Sequence, residues 1–235
     1  MTFTTLGYAF LGGLLPAFIW LYFLLKEDSR CPEPRRLIAL AFVAGMLAVP
    51  IVLPLEHYAR LYFKGSSVIV SWALIEEVMK YLMAAIFILW RHAVDEAPDY
   101  VIYMLTVALG FSAAENALFL VGPFADGNFL AGVFTDNVRF LGANLLHVVA
   151  SATVGFALAF SSKAGPAGRV VAASTGLILA VALHTVFNTF IMSQGADTAF
   201  VAFFLIWMIA VIFFAAFEVL KYFEYRNLPP NTCKS

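Results

Sequence analysis

The sequence predicts an all-α, polytopic membrane protein of about seven transmembrane helices built around a four-helix polar core. Three observations carry that expectation. Of 235 residues, 63% are hydrophobic and 12% charged, against about 25% charged in a soluble globular chain, and the mean hydropathy is +0.90. The apolar residues gather into stretches of about 20 or more, the length that crosses a hydrocarbon core. The ionisable residues inside those stretches fall on consecutive ones. Such a chain cannot cover one core with a hydrated surface, which excludes a water-soluble enzyme, a nucleic-acid-binding module and a disordered regulator. A net charge of -1 offers no attraction to a polyanion.

In chain order the expected spans are 6–25, 37–55, 66–90, 100–121, 138–162, 169–193 and 198–222. The whole chain, 1–235, reads as a single membrane domain with its core at approximately 66–193. The first span lacks a basic leader and a small-residue cleavage site, so it is kept as a membrane helix. Pro50 and Pro54 are expected to bend the second span. The segment 122–137, with Phe124, Phe129 and Phe134, reads as an interfacial or re-entrant piece. Lys26, Arg30, Arg35, Arg36, Arg91, Lys163, Arg169, Lys221, Arg226 and Lys234 fall on one side, against Arg60, Lys64 and Arg139 on the other. The positive-inside rule then puts the N-terminus outside a plasma membrane and the C-terminus in the cytoplasm. Cys31 and Cys233 fall on the reducing side and are expected to be free thiols. Trp20, Tyr22, Trp90, Tyr100, Tyr222 and Tyr225 are read as an interfacial aromatic belt. Glu56, His57, His92 and Glu218 are read as solvated or interfacial span-end groups.

The remaining polar residues should not be in lipid. The third span holds Glu76, Glu77 and Lys80, the fourth Glu115 and Asn116, the fifth Asn144 and His147, and the sixth His184 and Asn188. An ionisable group at mid-helix costs about 2.5–3.5 kcal/mol on insertion scales, so these groups must pair or reach water. At a rise of about 1.5 Å per residue, Glu76, Glu115, His147 and His184 all lie roughly 10–15 Å below the outer surface. Glu76 and Lys80, and His184 and Asn188, share helix faces at i,i+4, so Lys80 is expected to neutralise Glu76. Glu77 is rotated by about 100° from Glu76 and can serve a different partner. Small residues around these positions, Gly155 and Gly176 among them, allow close helix approach. Spans one, two and seven are expected to be peripheral.

Four motifs in order now resemble a known family. Glu76-Glu77-Val78-Met79-Lys80 resembles the paired-glutamate motif of PrsW-type intramembrane proteases, within the superfamily of CAAX-processing and bacteriocin-processing proteases. Phe111-Ser112-Ala113-Ala114-Glu115-Asn116 is similar to the second motif, His147 with Gly155 to the third, and His184 with Asn188 to the fourth. Lys80 and Glu115 stand where the wider superfamily has Arg and His, which favours the PrsW branch. The resemblance implies a multi-pass peptidase of glutamic type in a plasma membrane. Its substrate would be a membrane-anchored protein, an anti-sigma factor or similar regulator. Glutamate and histidine would activate water, and the His184–Asn188 pair would hold the oxyanion.

The residue chemistry leaves two routes. In the favoured one no cofactor is used: Glu76 is general base, assisted by a histidine, with Glu77, Glu115, His147, His184 and Asn188 completing the catalytic set and Lys80 and Asn116 supporting it. In the other, His147, His184 and Glu76 bind Zn²⁺. A proton-coupled transporter or channel is the alternative for the same buried acids and histidines, although no inverted repeat is visible in the sequence.

Overall fold

The computed structural model describes residues 3–128, 130, 132, 142–192 and 196–226. They form α1 (Phe3–Glu27), α2 (Arg35–Tyr62), α3 (Ser66–Ala84) with a π turn Ala85–Leu89, α4 (Ala97–Ala125), α5 (Ala143–Phe160), α6 (Pro166–Met192) and α7 (Ala196–Tyr225). No strand occurs among the described residues. This is an all-α polytopic membrane protein. Every helix except α3 is long and apolar enough to cross a membrane. The exception is physical: Glu76, Glu77 and Lys80 lie within its 19 residues, and all three are buried in protein. Wide apolar faces of α6 and α7 meet no protein, with Ile178 69% and Phe200 72% exposed, as lipid-facing surfaces require.

The central element is α4. It is apolar all round, the pattern of a helix enclosed by others, and Ile102, Tyr103, Val107 and Ala108 are inaccessible. Two glycines set its contact with α2. A Cβ on Gly110 would fall 1.9 Å from the Phe42 carbonyl oxygen, and one on Gly45 2.0 Å from that of Val107. The backbones therefore touch, as small residues permit in membranes. On the α1 side a Cβ at Gly13 would lie 2.4 Å from the Ala113 carbonyl. Gly155 and Gly176 bring α5 against α4 and α6 against α5 in the same way. The expectation of peripheral first and second spans is thus corrected: α1 and α2 are packed on the central helix. Only α7 stays at the edge, seating Ala202, Ile206 and Ala210 on α5 and α6.

α2 is one helix that includes Pro50 and Pro54. Other expectations change in detail. The start of the segment 122–137 belongs to α4, which ends at Ala125, and α5 begins at Ala143. Phe129, Phe134 and residues 138–141 lie outside the described residues. Cys31 is disulfide-bonded, not a free thiol. The free-thiol reading rested on compartment alone, which carries no information on chain geometry; Cys233 lies outside the described residues.

At the end of the bundle where α1 meets α2, carboxyls take over from apolar packing. The Asp99 carboxylate accepts the N–H groups of Glu96 (2.8 Å) and Asp95 (3.0 Å) and starts α4 with a capping box. Tyr103 donates to Glu33, and Tyr225 to Glu96 at 2.6 Å. Tyr100 and Tyr225 are buried and leave the aromatic belt; Tyr225 docks inward because its hydroxyl meets the Glu96 carboxylate. Burial pushes the Asp28 carboxyl up to about 7; the Glu33 N–H opposes this, and the charges of Glu33 and Glu96 add to it.

Two outcomes follow from this packing. Gly110→Val must separate α2 from α4 and is expected to cost about 3 kcal/mol, the upper end for overpacking, seen as a lowered unfolding temperature in detergent. Asp28 binds a proton more tightly folded than unfolded, so its contribution to stability is complete below its ordinary pKa of 3.8 and is lost as pH rises through about 7. Melting Asp28→Asn and the parent at about pH 4.5 and about pH 8 should show a smaller pH-dependent loss in the variant.

Candidate active site

Four helices bring their ionisable side chains to one place. From α3, Glu77 and Lys80 pair at i,i+3 with Nζ 2.6 Å from Oε1. The same Oε1 lies 2.6 Å from Nδ1 of His184 on α6. The Lys80 ammonium lies 3.1 Å from Nδ1 of His147 on α5, and His147 Nε2 lies 3.0 Å from Oε2 of Glu115 on α4. The two imidazoles meet edge to face with centroids 5.4 Å apart. Phe111 packs on His147 and under the ammonium. Lys80, Glu77, His184 and His147 are all at most 2% exposed.

These contacts fix the tautomers. An ammonium can only donate, so His147 accepts at Nδ1 and donates Nε2–H to Glu115. His184 donates Nδ1–H to the Glu77 carboxylate and keeps its Nε2 lone pair for the cavity. Glu76, which lines the cavity, shares with Glu77 an Oε2 that has no hydrogen-bond partner among the described residues. Its Oε2 lies 3.8 Å from His184 Nε2 and 3.9 Å from His147 Nδ1, beyond hydrogen-bond range. No conventional donor among the described residues reaches that buried oxygen.

The site opens into a cavity of about 680 Å³. Glu76, Glu115, His147, His184 and Asn188 line it together, so the structure unites these sequence-predicted residues. Glu77 and Lys80 do not line it; they lie behind the histidines. Lys80 takes Glu77 and not Glu76 as its ion-pair partner, because the i,i+3 carboxylate points back into the bundle while Glu76 points into the cavity. Asn116 sits apart in an inter-helix clasp: its amide donates to Asn144 Oδ1 at 2.6 Å, and Ser112 donates to the same oxygen. That clasp joins α4 to α5 one turn from the two motif residues they carry.

Sequence reasoning missed the contribution of α2. Val49, Val52, Leu53, Glu56, His57 and Arg60 line the cavity together with Glu76. Glu56 and His57 were expected to be solvated span-end groups. The length of α2, which runs to Tyr62, places them on the cavity wall instead. The available signal was the helical spacing of Val49, Val52 and Glu56 on one face.

Glu76, His147 and His184 could hold a metal ion, since one ligand atom of each lies within 4.8 Å of the others. The donor set, two histidines and a carboxylate, is that of a catalytic zinc site. The orphaned Glu76 Oε2 and the open Nε2 of His184 fit a cation, and the Glu77 carboxylate behind His184 is the outer-shell partner such ligands use. His147 fits once Lys80 releases its Nδ1.

Residues 33–217 match the PrsW-protease family, whose description is PrsW family intramembrane metalloprotease. Among curated relatives, the protein named Protease PrsW of Bacillus subtilis is 26% identical over 176 residues, covering 73% of this chain and 77% of the relative. Its namesake from Clostridioides difficile is 25% identical over 193 residues, 79% of each chain. That of Oceanobacillus iheyensis is 28% identical over 127 residues, 52% of this chain and 58% of the relative. This last match spans less than two thirds of the relative's length. No solved structure gives a significant match.

The buried pair makes a stability prediction. Lys80→Met strands the Glu77 carboxylate without its cation and is expected to cost about 3–5 kcal/mol, the range for breaking a buried pair. Double replacement with Glu77→Gln should recover part of that loss in detergent melts.

Proposed function

The chain belongs to the PrsW family of intramembrane proteases, and from that premise we propose that it hydrolyses a peptide bond of a membrane-anchored protein. The observation that carries the reading is the convergence of His147 and His184 on the unbonded Oε2 of Glu76, at 3.9 and 3.8 Å, on the wall of a cavity large enough to admit a peptide segment. The chain acts as one protease domain whose core is 66–193.

A water in the gap between these three groups loses a proton to Glu76 as its oxygen attacks the scissile carbonyl carbon. His184, with its Nδ1–H held by Glu77, assists Glu76 by accepting a hydrogen bond from the attacking water at its Nε2 lone pair. The amide N–H of Asn188, one turn further along α6, faces the carbonyl oxygen as negative charge develops there. The Glu76 carboxyl then returns its proton to the leaving amine nitrogen as the C–N bond breaks. His147, its two ring nitrogens taken by Lys80 and Glu115, forms the wall that confines the water beside Glu76. The low dielectric of the bundle strengthens each of these interactions.

A second reading is favoured by the ligand geometry of Glu76, His147 and His184 and by the family's description as metalloproteases. Those three residues would hold Zn²⁺, which when bound lowers the pKa of water to about 7 and polarises a carbonyl. The transporter alternative is not favoured, since the chain belongs to a family of intramembrane proteases.

The distribution of Lys and Arg supports an orientation with the N-terminus outside, and a plasma membrane is the location we infer from the family. The cavity then opens toward the exterior leaflet, because its lining includes the C-terminal parts of α2 and α6. Cleavage falls near the outer face, and a regulatory membrane protein such as an anti-sigma factor is the substrate we infer from the family.

Glu76→Gln and His184→Ala are each expected to lower cleavage of a membrane-anchored reporter in proteoliposomes by about 10²-fold or more. Full activity in both variants would overturn the assignment. Elemental analysis of the pure protein, with assays before and after chelation, separates the two readings. Stoichiometric zinc whose removal abolishes cleavage selects the second.

A further inference from the structure

We propose that Arg60, near the end of α2, is a specificity-determining residue that selects substrates carrying an Asp or Glu a few residues from the scissile bond, on the side of the α2–α3 connector. The inference rests on the proteolytic reading above and names a chemical feature of the substrate that this reading leaves open.

The first observation is charge. Arg60 is the one Lys or Arg among the described residues that line the cavity, and it shares that wall with Glu56, Glu76 and Glu115. The second is how its head is held. The guanidinium is committed to an indole instead of a carboxylate, 4.7 Å from the centre of the Trp72 ring. Stacking on an aromatic face occupies the flat side of a guanidinium and leaves its edge open. That edge is a planar fork of N–H donors matched to a carboxylate. An arginine serving only as a headgroup anchor extends away from the protein, whereas this one folds back onto the next helix and faces the cavity.

The third observation is depth. The Trp72 indole N–H donates to the Glu56 carbonyl oxygen at 3.2 Å, which sets Glu56 of α2 level with Trp72 of α3. From that level Glu76 lies one turn deeper along α3, and Arg60 one turn outward along α2. At about 1.5 Å per residue, the Arg60 backbone is about 12 Å from the level of Glu76, and its head, drawn back over Trp72, is about 6–12 Å away. An extended peptide advances about 3.3 Å per residue, so the side chain that reaches Arg60 sits about two to four residues from the bond presented to Glu76. Nearer that bond an acidic side chain meets Glu76 and Glu115 in place of a cation. The selection is therefore confined to one window of the substrate.

The test uses the full chain in proteoliposomes and single-span reporters with Asp, Asn or Lys at successive positions outward of the mapped cleavage site. Each reporter competes with a common reference, so that differences in basal activity cancel. The parent is expected to prefer Asp over Lys on the order of 10-fold in kcat/KM within the window, chiefly through KM, as for a charge at the rim of an interface. The preference should vanish next to the scissile bond and shrink at high salt. Arg60→Gln should bring the ratio close to unity, and Arg60→Glu should invert it. A parent ratio near unity at every position, a preference for Lys in the window, or a preference for Asp that survives Arg60→Glu would each overturn the proposal. Equal losses on all reporters in both variants would assign Arg60 to anchoring or packing and overturn it as well. If the parent cleaves no reporter, the proteolytic reading fails, and binding of the same peptides to the parent and to Arg60→Glu, read by fluorescence anisotropy in detergent, still decides the charge preference.

Discussion

The site depends on how a lysine is made tolerable inside a membrane. Lys80 is fully buried, and an isolated ammonium in hydrocarbon costs several kcal/mol. Its charge is met by Glu77 at 2.6 Å, and a second proton goes to His147 at 3.1 Å. Glu77 in turn takes the Nδ1–H of His184. One ion pair thus ties three helices and sets the ring orientation of both histidines. Had the ammonium paired with Glu76, that carboxylate would have been neutralised and drawn into the bundle.

Adjacent glutamates therefore do different work. A helix turns about 100° per residue, so Glu76 and Glu77 cannot point the same way. Glu77 faces the interior and is consumed by structure. Glu76 faces the cavity and keeps an oxygen without a conventional donor. The buried carboxylate holds the ring of His184 at 2.6 Å, and the opposite nitrogen of that ring lies 3.8 Å from the cavity-facing carboxylate. Glu115 repeats the logic across the cavity: it is the most exposed acid of the cluster, with its side chain 21% accessible, and it fixes His147 from the open side.

Much of this was legible in the sequence because lipid makes polar residues conspicuous. Glu76, Glu77, Glu115, His147 and His184 stood out by their cost, and their depths anticipated one layer. The partner of Lys80 was not legible, since i,i+3 and i,i+4 spacings are both satisfied in Glu76-Glu77-Val78-Met79-Lys80. Nor was the role of α2. A glutamate near a span end can reach the headgroups, and only the tertiary position of the helix shows that it turns inward. The small residues noted on α5 and α6 had unnoticed counterparts in Gly45 and Gly110, which carry no polar signal. The inward docking of Tyr225 on Glu96 likewise depends on which helix ends meet.

The glycine contacts connect that missed packing to the chemistry. Because Gly45 and Gly110 let the backbones of α2 and α4 touch, α2 is anchored beside the central helix well before its C-terminal turns. Those turns then overhang the layer formed by α3, α4, α5 and α6 and close it with a wall that is apolar at Val49, Val52 and Leu53 and polar at Glu56 and Arg60. A membrane segment entering this space would meet apolar side chains along most of its length and acids at one level only. On the proteolytic reading proposed above, water drawn to those acids would be held at the same level as the groups proposed to react, while the rest of the segment would stay dry. Removing α2 would leave every motif residue in the chain and still flood the cavity or empty it to lipid.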